Sequence, residues 1–300
     1  MKKVIEYLSE YDRRLVVPIG AYEKDLDFLC LGDVAFAKAL GFETYKVREM
    51  LEKVVEGQLN TEEELKVLKE ERVFNYEYFY RELEVLKKEK DTRNIPIGGG
   101  CFGPLTIVAN IIGVEKCNKL SLKNPEFLLQ VLEYVNSYLI ELAKLEEEAG
   151  ADFFWIAEPL ASLFSPKSFE RFSGNFIKEI YHSINIPGFL HVCGDTIRHT
   201  DGLVKTGAQV LSVDYLVDIE ENIKLVPDDV VIMGNINPML LWRGKPKDIE
   251  KEVLDLNYKV RNYKNFIMSS GCLIPRGTPK ENVELMIKLT KEYPLKSLNG

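Results

Sequence analysis

Short apolar runs alternate with longer amphipathic or charged segments along the chain. Most runs are bounded by Gly, Pro, Asn or Asp, a pattern typical of buried strands between turns. Pro18 lies within the first run, which favours an edge or the end of a strand there. The predicted strands are Leu15–Gly20, Phe42–Val47, the start of Asn94–Pro104, Asp152–Glu158, Gly188–Val192, Gln209–Asp214, Val230–Gly234 and Phe266–Ser270.

The intervening segments predict helices, and several of them carry clear start and stop residues. Thr61-Glu-Glu-Glu64 is a capping box, and Asn124-Pro125 and Ser165-Pro166 each place a capping residue directly before a proline. Gly150 follows the predicted helix that ends at Glu148, as glycine commonly does. The predicted helices are residues 1–14, 33–40, 61–90, 105–112, 125–148, 166–184, 196–206, 220–226, 247–263 and 279–293.

Strands that alternate with helices predict a parallel sheet, since parallel strands need a crossover between them. About eight such units in 300 residues favour a closed (β/α)8 TIM barrel over an open, doubly wound sheet. The chain shows no repeat beyond this rhythm, no linker and no low-complexity segment. The sequence therefore predicts an α/β fold with a single domain over residues 1–300.

Composition argues against several classes of protein. A net charge of −8 and a pI near 5.2 disfavour nucleic acid as the main ligand, because binding its backbone needs a basic face. No apolar run approaches the ~18 residues of a membrane span, and the N-terminus lacks the apolar core of a signal peptide. The five cysteines are scattered, so a disulfide framework is not expected. We predict a cytoplasmic protein with reduced thiols and neither a nucleic-acid nor a membrane partner.

Two of the predicted strands end in residues that bind soft or borderline metal ions. His191-Val-Cys193 closes one strand beside Gly194, and Cys272 follows another strand beside Gly271. We expect these strands to be neighbours, or nearly so, for the cysteines to meet. Three such ligands leave one position of a tetrahedral Zn²⁺ open, as in catalytic zinc sites. The alternative is that the cysteines are buried packing residues and the histidine a satisfied polar group.

Barrel enzymes place their chemistry at the carboxyl ends of the strands, which form one mouth of the barrel. Glu158 ends a predicted strand and is the candidate fourth ligand, a hard oxygen that an incoming thiolate would displace. Its alternative role is a carboxylate bonded to backbone N–H groups or to an arginine. Asp195 is a candidate acceptor that orients His191, and its alternative role is a solvated turn aspartate.

Other residues are predicted at the same mouth. Asp214 and Asn237 are candidates to line a substrate cavity, and Cys101 and Asn235 join them by the same rule. The glycines from Gly98 to Gly103 let a ligand approach the backbone closely, although the segment matches neither phosphate-binding fingerprint. Two further histidines, His182 and His199, fall within predicted helices, where we expect surface or packing roles.

Several motifs are shared with a known family, namely Gly103-Pro-Leu-Thr106, Asn124-Pro125, Gly150-Ala-Asp152, Ser165-Pro166 and Gly234-Asn-Ile-Asn-Pro238. On these motifs the chain resembles the uroporphyrinogen decarboxylase superfamily from about Gly98 to Tyr293. Residues 1–95 match the family weakly, and the arginine-rich N-terminal motif of the true decarboxylases is missing. The shared motifs support the fold more than the activity.

The branch of the superfamily is indicated by His191-Val-Cys-Gly-Asp-Thr196 and Ser270-Gly-Cys-Leu-Ile-Pro-Arg-Gly-Thr-Pro279. Both segments are similar to the zinc-binding motifs of methylcobamide:coenzyme M methyltransferases. The resemblance implies a zinc-dependent methyltransferase that moves a methyl group between a methylated corrinoid (methylcobalamin) and a thiol such as coenzyme M. It also implies a separate small corrinoid-binding protein as partner. The implied site residues are His191, Cys193, Cys272 and Glu158 for zinc, Asp195 and Asp214 near the reacting groups, and Gly103 and Asn237 on the cofactor side.

Two other functions remain open from the sequence. One is a tetrapyrrole decarboxylase of the uroporphyrinogen decarboxylase type, which would turn over without zinc. The other is a non-catalytic barrel whose zinc is structural, which would have a closed site with four protein ligands.

Overall fold

The computed structural model describes most of the chain from residue 59 onward. It covers residues 59–71, 80, 83–84, 86–88, 90–91, 96–275 and 277–293, together with the short strands Val16–Val17 and Leu29–Cys30. The predicted helices over residues 1–14 and 33–40, and the predicted strand Phe42–Val47, lie outside the described residues.

The described residues contain an eight-stranded sheet. Its strands are β1 (Val16–Val17), β2 (Leu29–Cys30), β3 (Ile97–Phe102), β4 (Phe154–Ala157), β5 (Gly188–Val192), β6 (Val210–Val213), β7 (Val231–Ile236) and β8 (Phe266–Ser270). The order in the sheet is β1-β8-β7-β6-β5-β4-β3-β2, and every neighbouring pair is parallel. Consecutive strands are neighbours from β2 to β8, and β1 lies beside β8, as in a (β/α)8 TIM barrel. The predicted fold class is confirmed.

Helices follow the strands and cover the outside of the sheet. They are α1 (Glu62–Glu71), α2 (Pro104–Ile112), α3 (Val114–Lys123), α4 (Pro125–Glu148), α5 (Pro166–Phe169), α6 (Asn175–His182), α7 (Thr200–Lys205), α8 (Ile219–Asn222), α9 (Pro238–Arg243), α10 (Pro246–Val260) and α11 (Lys280–Glu292). A π-helical turn, Glu170–Gly174, joins α5 to α6. Of the helices in the described part of the chain, none has the length and apolar character needed to cross a membrane.

The structure differs from the sequence prediction at three elements. Helices α3 and α9 were not predicted, and β2 lies in a segment that was predicted as loop and helix. Gly113 explains the first difference: with φ of +91° it ends α2 and begins α3 at once, so no polar loop marks the boundary. The second strand has only two residues in the structure, too few to show an apolar period.

Side chains of the strands alternate between two cores, because successive residues of a strand point to opposite faces. The inner cluster fills the barrel with Phe153, Trp155, Ala157, Phe189, Val210, Val231, Met233 and Ile267. The residues between them, such as Phe154, Leu190 and Leu211, pack beneath the helices. The barrel is therefore a packed solid below its mouth, and open space for a ligand is expected only at the carboxyl ends of the strands.

Glycines on β3 make room for the large aromatic residues beside them. A Cβ atom at Gly98 would lie 2.3 Å from the Phe153 ring, and one at Gly100 would lie 2.2 Å from the carbonyl oxygen of Trp155. The sequence thus pairs small residues on one strand with large residues on the next. This pairing lets the aromatic side chains enter the barrel interior.

Replacing Gly100 by alanine is expected to lower the free energy of unfolding by about 1–3 kcal/mol, because the added methyl group meets a backbone oxygen that cannot rotate away. Gly174→Ala is the matched control, since its nearest neighbour is the Phe169 ring at 3.3 Å. We expect the control to change stability by less than about 1 kcal/mol. Urea unfolding measures both, and equal stability of the two variants would contradict the role given to Gly100.

Candidate metal centre

His191 lies on the inner face of β5 and is only 3% exposed. Its Nδ1 is 3.2 Å from the carbonyl oxygen and 3.0 Å from the hydroxyl oxygen of Ser212, the residue in register with it on β6. A carbonyl oxygen can only accept a hydrogen bond, so Nδ1 carries a proton and donates it. Nε2 is therefore the ring nitrogen that is available to a metal ion.

Two cysteine sulfurs lie close to this nitrogen. Sγ of Cys193 is 3.4 Å from Nε2 of His191 and 3.7 Å from Sγ of Cys272. The ligand atoms of these residues all lie within 4.8 Å of one another, and no other such group of His, Cys, Asp and Glu occurs in the described part of the chain. The structure thus brings together the His and Cys residues that were predicted as ligands.

The two separations from Cys193 Sγ are those of a tetrahedral zinc site. Zinc binds cysteine sulfur at about 2.3 Å and histidine nitrogen at about 2.0 Å, so tetrahedral angles place two sulfurs about 3.8 Å apart and sulfur about 3.5 Å from nitrogen. The observed separations of 3.7 Å and 3.4 Å match these values closely. The donor set also has the borderline-soft character that zinc prefers, so the residues fit this ion.

The route by which Cys272 reaches Cys193 differs from the expected one. In the sheet, β6 and β7 separate β5 from β8, so the two strands are not neighbours. The strand ends meet across the mouth because the sheet curls, and the loop after β8 folds inward. Gly271 N donates to Ile236 O at 2.7 Å, and a Cβ atom at Gly271 would lie 2.3 Å from Tyr215 N. Because Gly271 has no side chain, the loop after β8 can approach the loop after β6, which contains Tyr215.

The surroundings of Cys272 favour its thiolate. The contact with Cys193 contributes most, and the interaction with the His191 ring and the N–H of Leu273 act in the same direction against desolvation. Together they lower the pKa of Cys272 to about 4. A thiolate is the form of cysteine that binds metal. By contrast, burial, aided by the negative charge of Glu158, raises the pKa of Cys117 in α3 to about 12.

An apolar layer closes the site on the side away from the mouth. The Trp155 ring lies next to the His191 ring, with 6.3 Å between centroids and 23° between planes. Trp155, Phe189 and Met233 are all buried in this layer. Cys193 and Cys272 are partly exposed. A ligand would therefore approach the sulfurs from the mouth of the barrel.

Glu158, the predicted fourth ligand, lies outside this cluster. Its buried carboxylate accepts hydrogen bonds from Leu105 N at 3.0 Å, Thr106 N at 2.8 Å and Ser173 Oγ at 2.8 Å, and another from Thr106 Oγ1. The first turn of α2 thus directs its unpaired N–H groups at a carboxylate, which is favourable there. Burial raises the pKa of this carboxyl, and the donors act in the opposite direction. The structure gives Glu158 the alternative role, that of a carboxylate bonded to backbone N–H groups.

Gly103 and Asn237, predicted on the cofactor side, lie at the starts of helices. A Cβ atom at Gly103 would be 2.3 Å from Oε2 of Glu158, so this glycine admits the carboxylate to the end of α2. Asn237 caps α9, since its Oδ1 accepts from Met239 N at 2.9 Å. Its own N–H donates to Oε1 of Glu252 at 2.7 Å. In the structure both residues support loops of the mouth.

Asp195 and Asp214 hold turns after their strands. Asp195 is exposed, and its Oδ1 accepts a hydrogen bond from Ile197 N at 3.2 Å. This contact is that of a turn aspartate, the alternative role given above for Asp195. Asp214 is buried, and its Oδ1 accepts from Leu216 N at 3.0 Å. Neither carboxylate belongs to the cluster of possible metal ligands in the described residues.

The remaining candidates are packing or surface residues. Cys101 packs against the core beneath the helices, and Asn235 Nδ2 donates to the carbonyl oxygen of Asp214 at 3.0 Å. His199 is buried and lies edge-on to an aromatic ring, whereas His182 is exposed. The packing and surface roles predicted for the two histidines are confirmed.

Ser212 was not among the predicted site residues, although it accepts the proton of His191. It takes the place for which Asp195 was a candidate. The signal in the sequence is a hydroxyl residue at an inward-facing position of the apolar run Val210–Val213. Such a residue is unexpected inside a barrel unless it has a polar partner.

The family model described as uroporphyrinogen decarboxylase (URO-D) matches residues 18–293. This chain belongs to the uroporphyrinogen decarboxylase family. Methylcobamide:CoM methyltransferase MtbA of Methanosarcina acetivorans is 30% identical over an alignment of 222 residues that covers 70% of this chain and 63% of the relative. Uroporphyrinogen decarboxylase of Prochlorococcus marinus (strain MIT 9312) is 28% identical over an alignment of 216 residues that covers 68% of this chain and 62% of the relative. The solved structure of a methyltransferase from Methanosarcina mazei is 28% identical, with a TM-score of 0.65 over 70% of this chain and 63% of that chain.

These relatives of the uroporphyrinogen decarboxylase family are enzymes of two kinds, methyltransferases and decarboxylases. Identities of 30% and 28% do not separate the two reactions for this chain. The chain also spans only 63% of the length of the methyltransferase relative. The choice of reaction therefore depends on the chemistry of the site itself.

Replacing Glu158 by glutamine is expected to lower the free energy of unfolding by about 2–4 kcal/mol, because one acceptor oxygen becomes an NH₂ group facing the donors of α2. Zinc affinity is expected to change less than about threefold, since Glu158 is outside the cluster. Ser173→Ala removes one donor to Glu158 and is expected to lower the free energy of unfolding by less than Glu158→Gln does. If the Glu158→Gln variant bound zinc tenfold more weakly, the result would indicate that Glu158 is a zinc ligand.

Elemental analysis of the purified full chain is expected to find about one zinc per chain. Cys272→Ser should weaken zinc binding by about tenfold or more, because it removes one of the two sulfur donors. Cys101→Ser is the control, since this cysteine packs against the core outside the cluster. If the wild-type protein took up no zinc at micromolar concentrations, the prediction of a metal centre would be wrong.

Proposed function

We propose that the protein transfers a methyl group between a methylated corrinoid and a thiol such as coenzyme M, with zinc as its metal. The observation that carries this proposal is a set of one imidazole nitrogen and two cysteine sulfurs within 4.8 Å of one another, with Cys193 Sγ at tetrahedral zinc separations from the other two atoms. A methylcobamide:CoM methyltransferase among the relatives supports it.

The donor set suits a sulfur nucleophile. His191, Cys193 and Cys272 would hold the ion and leave one of the tetrahedral positions for the substrate sulfur. A substrate thiol bound to zinc would lose its proton at neutral pH. The two cysteine thiolates offset the positive charge, so the substrate sulfur keeps the electron density that attack on a methyl carbon requires. A site with neutral nitrogen ligands would suit water activation better.

The reaction toward the thiol balances in atoms and electrons. The thiol loses its proton, and its sulfur forms a bond to the methyl carbon. The cobalt–carbon bond of the corrinoid substrate breaks with both electrons left on cobalt. The products are a methyl thioether, the cobalt(I) corrinoid and one proton. The buried layer of Trp155 and Phe189 keeps water away from the side of the His191 ring that faces the barrel interior.

The corrinoid is proposed to arrive on a separate small corrinoid-binding protein at the mouth of the barrel, where the two sulfurs are partly exposed. In this proposal Gly103, Asp214 and Asn237 act through the segments that they support. Gly103 leaves room for the Glu158 carboxylate at the start of α2, and the side chains of Asp214 and Asn237 accept hydrogen bonds in a turn and at a helix start. The cysteines must be reduced for this chemistry, so the proposed compartment is the cytoplasm.

A tetrapyrrole decarboxylase is the second candidate, because a uroporphyrinogen decarboxylase is also 28% identical to the chain. That reaction gives no role to a cluster of two sulfurs and an imidazole. A purely structural zinc is disfavoured as well, since structural sites use four protein ligands and Glu158 lies outside this cluster.

The zinc-loaded full chain is expected to convert methylcobalamin and coenzyme M to the methyl thioether and cob(I)alamin. The measurement is the loss of methylcobalamin absorbance without oxygen, with a panel of small thiols for comparison. Cys193→Ala should lower the rate about a hundredfold or more by removing a metal ligand, whereas Cys101→Ser should retain it.

Uroporphyrinogen serves as the competing substrate in the same experiment. Carbon dioxide release by zinc-free protein, with no methyl transfer to any thiol, would establish the decarboxylase instead. Zinc uptake with neither reaction would leave the structural role as the conclusion.

A further inference from the structure

The orientation of the His191 ring has to be determined by something other than the metal. An imidazole that rotates by half a turn about its Cβ–Cγ bond exchanges Nδ1 with Cδ2 and Nε2 with Cε1, so a carbon atom takes the place of Nε2. His191 is buried on β5, where its backbone is bonded to β4 and β6. The backbone positions the ring, but it does not choose whether Nε2 or Cε1 faces the sulfurs.

Ser212 supplies this choice from the neighbouring strand. It is in register with His191, is 3% exposed, and offers both its carbonyl oxygen and its hydroxyl oxygen to Nδ1, at 3.2 Å and 3.0 Å. A ring rotated by half a turn would lose both acceptors and leave a buried N–H without these partners, at a cost of about 1–3 kcal/mol.

A second contact restricts the ring from its face. The Trp155 ring is nearly parallel to it, at 23° between planes, with 6.3 Å between centroids. Trp155 is itself buried among Phe153 and Phe189, so it cannot move aside readily. The imidazole is thus bounded by an aromatic face and by a pair of acceptors on β6.

We propose that Ser212 is a positioning residue for the metal centre: its hydroxyl fixes the His191 ring with Nε2 toward Cys193 and Cys272. The inference rests on the proposed zinc site. Acceptors behind a ligating histidine typically change metal affinity by about 10–100-fold. The carbonyl oxygen of Ser212 remains when the hydroxyl is removed, so the lower end of this range is expected.

The test is the zinc dissociation constant of the full chain, measured by competition with a chromophoric chelator. Ser212→Ala is expected to weaken zinc binding about tenfold. Ser212→Thr keeps a hydroxyl at the same position and should restore affinity to within about threefold of the wild type. Ser183→Ala is the matched control, because it also deletes a serine hydroxyl bond, to Ile180 O at 2.7 Å, at the end of α6.

A second readout separates positioning from stability. With cobalt(II) in place of zinc, the sulfur-to-cobalt absorption bands should persist in Ser212→Ala, since both cysteines remain, while the ligand-field bands shift. The thermal unfolding midpoints of the metal-free Ser212→Ala and Ser183→Ala chains should be similar. A spectrum identical to that of the wild type together with unchanged zinc affinity would overturn the role of Ser212.

The outcomes distinguish this inference from the proposed function. A wild-type chain that binds no zinc ends both. Equal zinc affinity of wild type and Ser212→Ala ends only the role of Ser212. Weaker binding that Ser212→Thr does not restore would also overturn the role of the hydroxyl.

Discussion

The carbonyl oxygen of Ser212 accepts the Nδ1 proton of His191 at 3.2 Å, and the chemistry of the site depends on this bond. It leaves Nε2 as the nitrogen that faces Cys193 and Cys272. Sγ of Cys193 then lies at tetrahedral zinc separations from Nε2 of His191 and from Sγ of Cys272.

Close approach of backbone segments makes this arrangement possible. Gly271 lets the loop after β8 touch the loop after β6, and Gly103 lets Glu158 reach the first turn of α2. The carboxylate of Glu158 then joins the end of β4 to the first turn of α2. The mouth is therefore built from several strand ends connected by buried polar contacts, and His191, Cys193 and Cys272 lie together among these strand ends.

The family to which the chain belongs contains both methyltransferases and decarboxylases on one kind of barrel. The fold provides the mouth of the barrel and the buried inner cluster beneath it for either reaction. The sulfur and nitrogen donors of this chain suit the activation of a thiol, which is why we propose methyl transfer. For this reason the proposed function rests on the separations of these donor atoms more than on overall similarity.

The sequence by itself determined the alternation of strands and helices, the barrel, and the identity of the His and Cys residues of the cluster. Those features depend on local periodicity and on residue chemistry, both of which are visible in the amino-acid sequence. It misplaced β2, missed α3 and α9, and left the role of Glu158 open, because these depend on very short elements or on partners distant in the chain. Only the tertiary structure decided that β5 and β8 meet across the mouth and that Ser212 orients His191. Such contacts arise from the curvature and register of the sheet, which no local pattern specifies.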